Sequence, residues 1–98
     1  MNNGARQLQG RCALVTGSTA GIGLATAHAL AAQGADIVLN GFGDTAADLC
    51  GEIAQQHAVR AIHHPADVSR PEQVAALVAA ARAHGRDRLD ILVDNADP

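Results

Sequence analysis

The chain has no tryptophan, no tyrosine and no lysine, and its single aromatic side chain is Phe42. All seven basic residues are arginines, scattered from Arg6 to Arg88. No basic patch with interleaved aromatics is available to grip nucleic acid, and the net charge of −3 is dispersed along the chain. The two cysteines, Cys12 and Cys50, are too few for a disulfide framework, and buried free thiols in a reducing compartment are the ordinary reading. The opening residues, MNNGARQLQG, contain no apolar signal core, and no uninterrupted apolar run is long enough to span a bilayer. These absences lead to the expectation of a soluble, cytoplasmic protein with neither nucleic-acid nor membrane partners.

What is present is an apolar fraction of 48%, carried by Ala, Val, Leu and Ile, which suits a globular protein. A chain of 98 residues makes one domain at most, and at that size it buries only roughly 60–70% of its unfolded surface. Short apolar runs at 12–15 (CALV), 36–39 (DIVL), 59–64 (VRAIHH) and 89–93 (LDILV) read as strands. Helical patterns lie between them. The first runs from about Ile22 to Gln33, with Ile22, Ala25, Ala29 and Leu30 on one face and Gly34 ending it. The second covers 45–57, with Thr45 as cap and Ala46, Leu49, Cys50 and Ile53 as the apolar stripe. The third begins near Ser69, a candidate cap, followed by Pro71 in the first turn and Glu72 at the positive end; its stripe is Val74, Leu77, Val78 and Ala81.

The alternation β-α-β-α-β-α-β in this length means βαβ units and a parallel sheet covered on both faces. Right-handed crossovers favour a doubly wound topology. Only DNADP follows the fourth strand. The expectation is therefore an α/β chain forming the N-terminal half of a doubly wound Rossmann fold, truncated after that strand, as one partial domain over 1–98. LDILV is apolar on both faces, so without a fifth strand it forms an edge that invites pairing with another chain.

The first strand runs into Thr16-Gly17-Ser18-Thr19-Ala20-Gly21-Ile22-Gly23 and then into a helix. A strand turning sharply into a helix leaves the first helical amides without internal partners, and with the helix dipole they form an anion site. Gly17 allows a tight exit, Gly21 lets the backbone approach a pyrophosphate, and Gly23 lets the helix lie close on the sheet. Ser18 and Thr19 add hydroxyl donors. The spacing G-x-x-x-G-x-G differs from the G-x-G-x-x-G of the commoner dinucleotide fingerprint.

On these eight residues the chain resembles the short-chain dehydrogenase/reductase family. The likeness continues in Ala66-Asp67-Val68 after the third strand and in DILVDNAD (Asp90 to Asp97), which parallels the family's D-I-L-V-N-N-A-G. AAQGADIVLNGFGD (Ala31 to Asp44) is similar to the family's bacterial D-3-hydroxybutyrate dehydrogenases, which interconvert 3-hydroxybutyrate and acetoacetate with NAD. The resemblance implies a dinucleotide site of Gly17, Thr19, Gly21, Ile22, Gly23, Phe42, Asp67, Val68 and Asn95. The segment after the second strand, facing the adenosine ribose, holds Asp44 and Asp48, and no arginine occurs from 12 to 59. A 2′-phosphate would meet repulsion without compensation, so NAD is expected over NADP. Phe42 packs near the adenine or plugs the sheet edge, and both readings stand. Asp67 could cap the following turn; the resemblance selects a contact with adenine.

The chain also departs from the family. N-N-A-G becomes Asp94-Asn95-Ala96-Asp97, where Asp97 adds a side chain and a charge beneath the cofactor. The family's tyrosine acid/base and its lysine four residues on have no counterpart, so no catalytic residue is assigned. Most of the five histidines, His28, His57, His63, His64 and His84, read as surface residues, and no metal site is expected; His63 and His64, adjacent in a strand, point to opposite faces. Cys50 reads as packing, and Asp87 and Asp90 as solvated turn residues. The alternative to a dinucleotide-binding piece of an oxidoreductase is an interaction module whose fourth strand pairs with a homologue or a separately encoded C-terminal half.

Overall fold

The computed structural model describes residues 6–95. Its elements are β1 (Cys12–Val15), α1 (Gly21–Ala32), β2 (Asp36–Leu39), α2 (Ala46–His57), β3 (Ala61–His63), α3 (Pro71–His84) and β4 (Ile91–Val93). All strands pair in parallel in the order β3-β2-β1-β4, with Leu14 opposite both Val38 and Leu92, and Val38 opposite Ile62. The chain winds outward from β1 to β3 and then returns to β4 on the other side of β1. That reversal places a crevice at the carboxyl ends of β1 and β4, the position at which open α/β sheets take ligands.

The strands are apolar in succession because both faces are covered. Alternate residues divide between two cores, as the pleat requires. Ala13, Val15, Ile37 and Leu39 meet α1 and α2 through Ala27, Ala31, Cys50 and Ile53. Cys12, Leu14 and Val38 meet Leu77 and Ala81 of α3. Among the described residues, no helix is long and apolar enough to cross a membrane.

Several expectations change. The buried face of α1 is Gly23, Ala27 and Ala31, whereas Ala25 and Ala29 are exposed and Ile22 is 78% exposed. An alanine-rich helix offers little contrast between its faces, and the glycine that fits against the turn decides which side faces inward. Thr45 and Ser69 make no side-chain cap. Ser69 instead sends its N–H and hydroxyl to Asp67 Oδ1, at 3.0 and 2.6 Å, and Arg70 occupies the cap position of α3.

β3 and β4 are shorter than 59–64 and 89–93, and at their starts a carboxylate takes one bond beside a remaining backbone bond, Ile37 N–H to the Arg60 carbonyl at 2.8 Å and Asp90 N–H to the Cys12 carbonyl at 3.0 Å. Asp36 Oδ1 accepts the Arg60 N–H at 3.0 Å. Asp90 Oδ2 accepts the Cys12 N–H at 2.9 Å, and Arg88 donates to Oδ1 at 2.6 Å. Asp90 is thus a shielded joint between β1 and β4 rather than a solvated turn residue. Its bond from Cys12, followed by that from Arg88, holds its pKa below the ordinary carboxylate value. Asp87 is exposed, as expected.

None of the five histidines lies on the open surface: His84 is buried and the others are half-buried. His28 Nδ1 and His57 Nε2 meet at 3.0 Å across α1 and α2. His84 is covered at the end of α3, with Nε2 3.3 Å from the Arg60 carbonyl.

Candidate functional site

The turn after β1 reverses direction through Gly17 and Gly21, both at φ +59°, a left-handed conformation that costs a side-chain-bearing residue about 1–2 kcal/mol. A Cβ on Gly21 would meet nothing within 4 Å, so the space above this peptide is open. Among the described residues no acceptor is found for the N–H groups of Gly21, Ile22 and Gly23; the next amide, Leu24, bonds the Ala20 carbonyl at 3.3 Å. These amides sit at the positive end of α1, beside the crevice.

Gly23 packs on the turn itself rather than on the sheet. A Cβ there would lie 2.2 Å from the Gly17 carbonyl oxygen and 2.6 Å from Asn95 Nδ2. Asn95 holds the turn from beneath: Nδ2 donates to the Gly17 carbonyl at 3.1 Å, and its backbone N–H donates to the Thr16 hydroxyl at 2.8 Å. The Thr16 hydroxyl also lies 3.2 Å from Asp94 Oδ1, so the residue that departs from the family pattern is tied to the end of β1. The reading of Asp97 beneath the cofactor lies outside the described residues.

Ser18 does not offer its hydroxyl to a ligand. It is fully buried, donating to the Val15 carbonyl at 2.6 Å and accepting the Asn40 N–H at 2.9 Å. Thr19 reaches the loop after β2, with its hydroxyl 3.4 Å from the Phe42 carbonyl. Gly41 makes room for that contact, since a Cβ on it would come within 2.7 Å of the Thr19 hydroxyl. Phe42 is 66% exposed and plugs no edge of the sheet. Asp44 and Asp48 are exposed on the same segment.

Asp67 and Val68 follow β3 on the adjacent loop. The Asp67 side chain is 46% exposed, with Oδ1 occupied by Ser69 and Oδ2 3.7 Å from Arg70 Nε. The Ser69 hydrogen bonds, then the Arg70 charge, hold its carboxyl below the usual pKa. The turn-capping role considered for Asp67 is therefore present in the structure. Val68 is half-buried against the core beneath α3. The structure thus gathers Gly17, Thr19, Gly21, Ile22, Gly23 and Asn95 around one turn. Phe42 is linked to that turn through Thr19, and Asp67 and Val68 stand on the next strand exit.

Asn40 was not anticipated. It follows β2 directly, is 2% exposed, and bonds the exits of both neighbouring strands. Its only signal in the sequence is a polar residue closing the apolar run DIVL.

Comparison with known proteins agrees with this geometry. The short chain dehydrogenase family model matches residues 11–97. D-beta-hydroxybutyrate dehydrogenases of Rhizobium meliloti and Cupriavidus necator are 47% and 49% identical to this chain over 90 residues, covering 88% and 91% of it. The match takes in 34% of each of those proteins, so the chain spans about a third of their length. Among solved structures, L-sorbose reductase from Gluconobacter frateurii, complexed with NADPH and L-sorbose, superposes with a TM-score of 0.86 at 36% identity, covering 95% of this chain and 35% of that one. A hydroxysteroid dehydrogenase from Escherichia coli gives 0.85 at 34% identity, covering 99% of this chain and 41% of that one. A parallel sheet with its glycine turn at the switch point, matched by this family over nearly all its length, makes the chain a member of the short-chain dehydrogenases.

Proposed function

We propose that these 98 residues hold the adenosine diphosphate portion of NAD in a short-chain dehydrogenase whose parent reaction oxidises 3-hydroxybutyrate to acetoacetate. The observation that carries this is the run of amides from Gly21 to Gly23 that find no acceptor among the described residues, beside the crevice at the positive end of α1. Thr19 joins this turn to the loop bearing Phe42, and Asp67, Val68 and Asn95 complete the surroundings. When bound, the nicotinamide supplies the hydride acceptor. This stretch of sequence contains neither tyrosine nor lysine, so in this reading it binds the dinucleotide without turning it over. A cytoplasmic setting suits the two free buried thiols.

NAD is preferred over NADP because the segment after β2 offers Asp44 and Asp48 and no cation to a 2′-phosphate. The solved L-sorbose reductase is complexed with NADPH, so the preference for NAD rests on this segment's charges and not on the fold. Thermal unfolding in the presence of each dinucleotide tests the reading. A ligand at 100 times its Kd stabilises by about 2.7 kcal/mol, and NAD is expected to raise the midpoint well above NADP at equal concentration. No shift with either dinucleotide overturns the site, and turnover of 3-hydroxybutyrate by the purified chain overturns the catalytic silence.

A second reading rests on the other face of the sheet. A cavity of about 530 Å³ opens between α3 and β4, with apolar walls from α3, Leu14 and Leu92, and it reaches the strand exits at Thr16, Asp67, Ser69 and Asp94. Its occupant in this reading is the remaining two-thirds of a short-chain dehydrogenase, supplied by another chain. Mixing with the C-terminal part of a relative tests it: a stable complex supports it, and two separate species overturn it.

A further inference from the structure

Asn40 uses every polar atom it has. Its backbone N–H donates to the Ser18 hydroxyl at 2.9 Å, and its carbonyl accepts the Ser18 N–H at 2.7 Å. Its side-chain Oδ1 accepts the Gly17 N–H at 3.2 Å, while Nδ2 donates to the carbonyls of His64 and Ala66, both at 3.2 Å. A carboxamide accepts at one end and donates two hydrogens at the other, which is what one amide and two carbonyls demand. Aspartate could still accept from Gly17 but would face two carbonyls with no proton to give. Alanine or serine would leave buried groups unpaired.

The consequence for the site lies in the Gly17 peptide. Its N–H is turned back into the protein by Asn40, and its carbonyl is held by Asn95 Nδ2 at 3.1 Å. With this peptide pinned, the left-handed step at Gly17 is fixed, and the amides that open to the crevice are those of Gly21 to Gly23. The neighbouring Gly41 extends the clamp. Its carbonyl lies 2.6 Å from His63 Nε2, which must carry the proton because a carbonyl only accepts. Thr19 closes over Gly41 from the other side.

We propose that Asn40 is a positioning residue of the dinucleotide site: its buried carboxamide locks the glycine turn to the exits of β2 and β3 and so sets the turn's distance from the 41–44 loop. It touches no ligand and acts through the Gly17 peptide. The proposal rests on the nucleotide reading above and adds a determinant to it.

Amide exchange on the full chain, followed by NMR, and NAD titration of N40S and N40D test it together. In the wild type the Gly17 amide is expected to exchange slowly, while those of Gly21 and Ile22 exchange fast and become protected by NAD. A folded N40S is expected to lose Gly17 protection, and a folded N40D to keep it while losing its ties to the His64 and Ala66 carbonyls; both are expected to weaken NAD binding about tenfold or more, the scale of leaving buried partners unsatisfied. A folded variant with an unprotected Gly17 amide and wild-type affinity overturns the proposal alone. If neither variant folds, the wild type decides: a Gly17 amide exchanging as fast as that of Gly21 overturns it, and a protected one upholds it. A wild-type chain that does not bind NAD overturns the nucleotide reading and the proposal with it.

Discussion

Gly23 and Gly21 are two residues apart and identical in composition, yet they do opposite things. At Gly23 a methyl group would strike the Gly17 carbonyl at 2.2 Å and the Asn95 amide at 2.6 Å. At Gly21 it would enter open space, and the only obstacle is the backbone at φ +59°. Gly23→Ala is expected to destabilise by about 1–3 kcal/mol through overpacking, and Gly21→Ala by about 1–2 kcal/mol through its left-handed backbone. Urea denaturation measures both costs. NAD titration then separates them further, because only the Gly21 methyl enters the open space that the proposed reading gives to the pyrophosphate. Cys12 offers another test at this scale. Burial, aided by the Asp36 and Asp90 charges, pushes its thiol up to about 11. Disulfide reagents at pH 8 are expected to label it slowly in the folded chain and rapidly in urea. The glycines were legible from their spacing because backbone freedom is a property of the residue. The inward hydroxyl of Ser18 and the buried amide of Asn40 were not legible, since the direction of a short polar side chain depends on neighbours brought from other strands.

Among the elements, CALV and DIVL were legible to the residue because burial on both faces leaves a continuous apolar run. The starts of β3 and β4 were not, since the Asp36 and Asp90 carboxylates each take one strand N–H beside the remaining backbone bond. The contact between α1 and α2 was hidden for a related reason, as two half-buried histidines read singly look like surface residues. His57 lies 3.0 Å from His28, and Arg6 donates to the His57 carbonyl at 2.5 Å. Burial, then the neighbouring His28 and Arg6 charges, lowers the pKa of His57 below 6.5. Burial also lowers that of His84. A depressed histidine pKa means the unfolded chain binds the proton more readily. The stabilising contribution is therefore complete above pH 6.5 and is lost as the pH falls through the folded values. Each histidine adds at most about 1.4 kcal/mol per pH unit to the slope. Urea midpoints are expected to be level near pH 7.5 and to fall between pH 6.5 and 5, and His57→Gln is expected to flatten that fall. A slope unchanged in the variant would remove His57 from the account.

On the scale of the whole molecule the sheet is unevenly clothed. Among the described residues α1 and α2 share one face and α3 covers the other, with β4 at the edge of the four-stranded sheet. The consequence was legible in LDILV, whose apolar residues on both faces suit a strand with covering on either side. Leu92, in that strand, is 59% exposed above the cavity beneath α3. Two substitutions separate the cost of this arrangement from its use. Leu77 is the large buried anchor of α3, and Leu77→Ala is expected to cost about 2–5 kcal/mol, enough to threaten a chain of this size. Leu92→Lys removes an apolar contact that the chain alone does not bury, so its unfolding midpoint should stay close to that of the wild type. If the α3 face is where further structure docks, sedimentation velocity should show the wild type self-associating as concentration rises, and Leu92→Lys should suppress that association and weaken pairing with a C-terminal part of a relative. A wild type that stays monomeric, or a lysine variant that still pairs, would mean that the exposed leucine is incidental to docking on the α3 face.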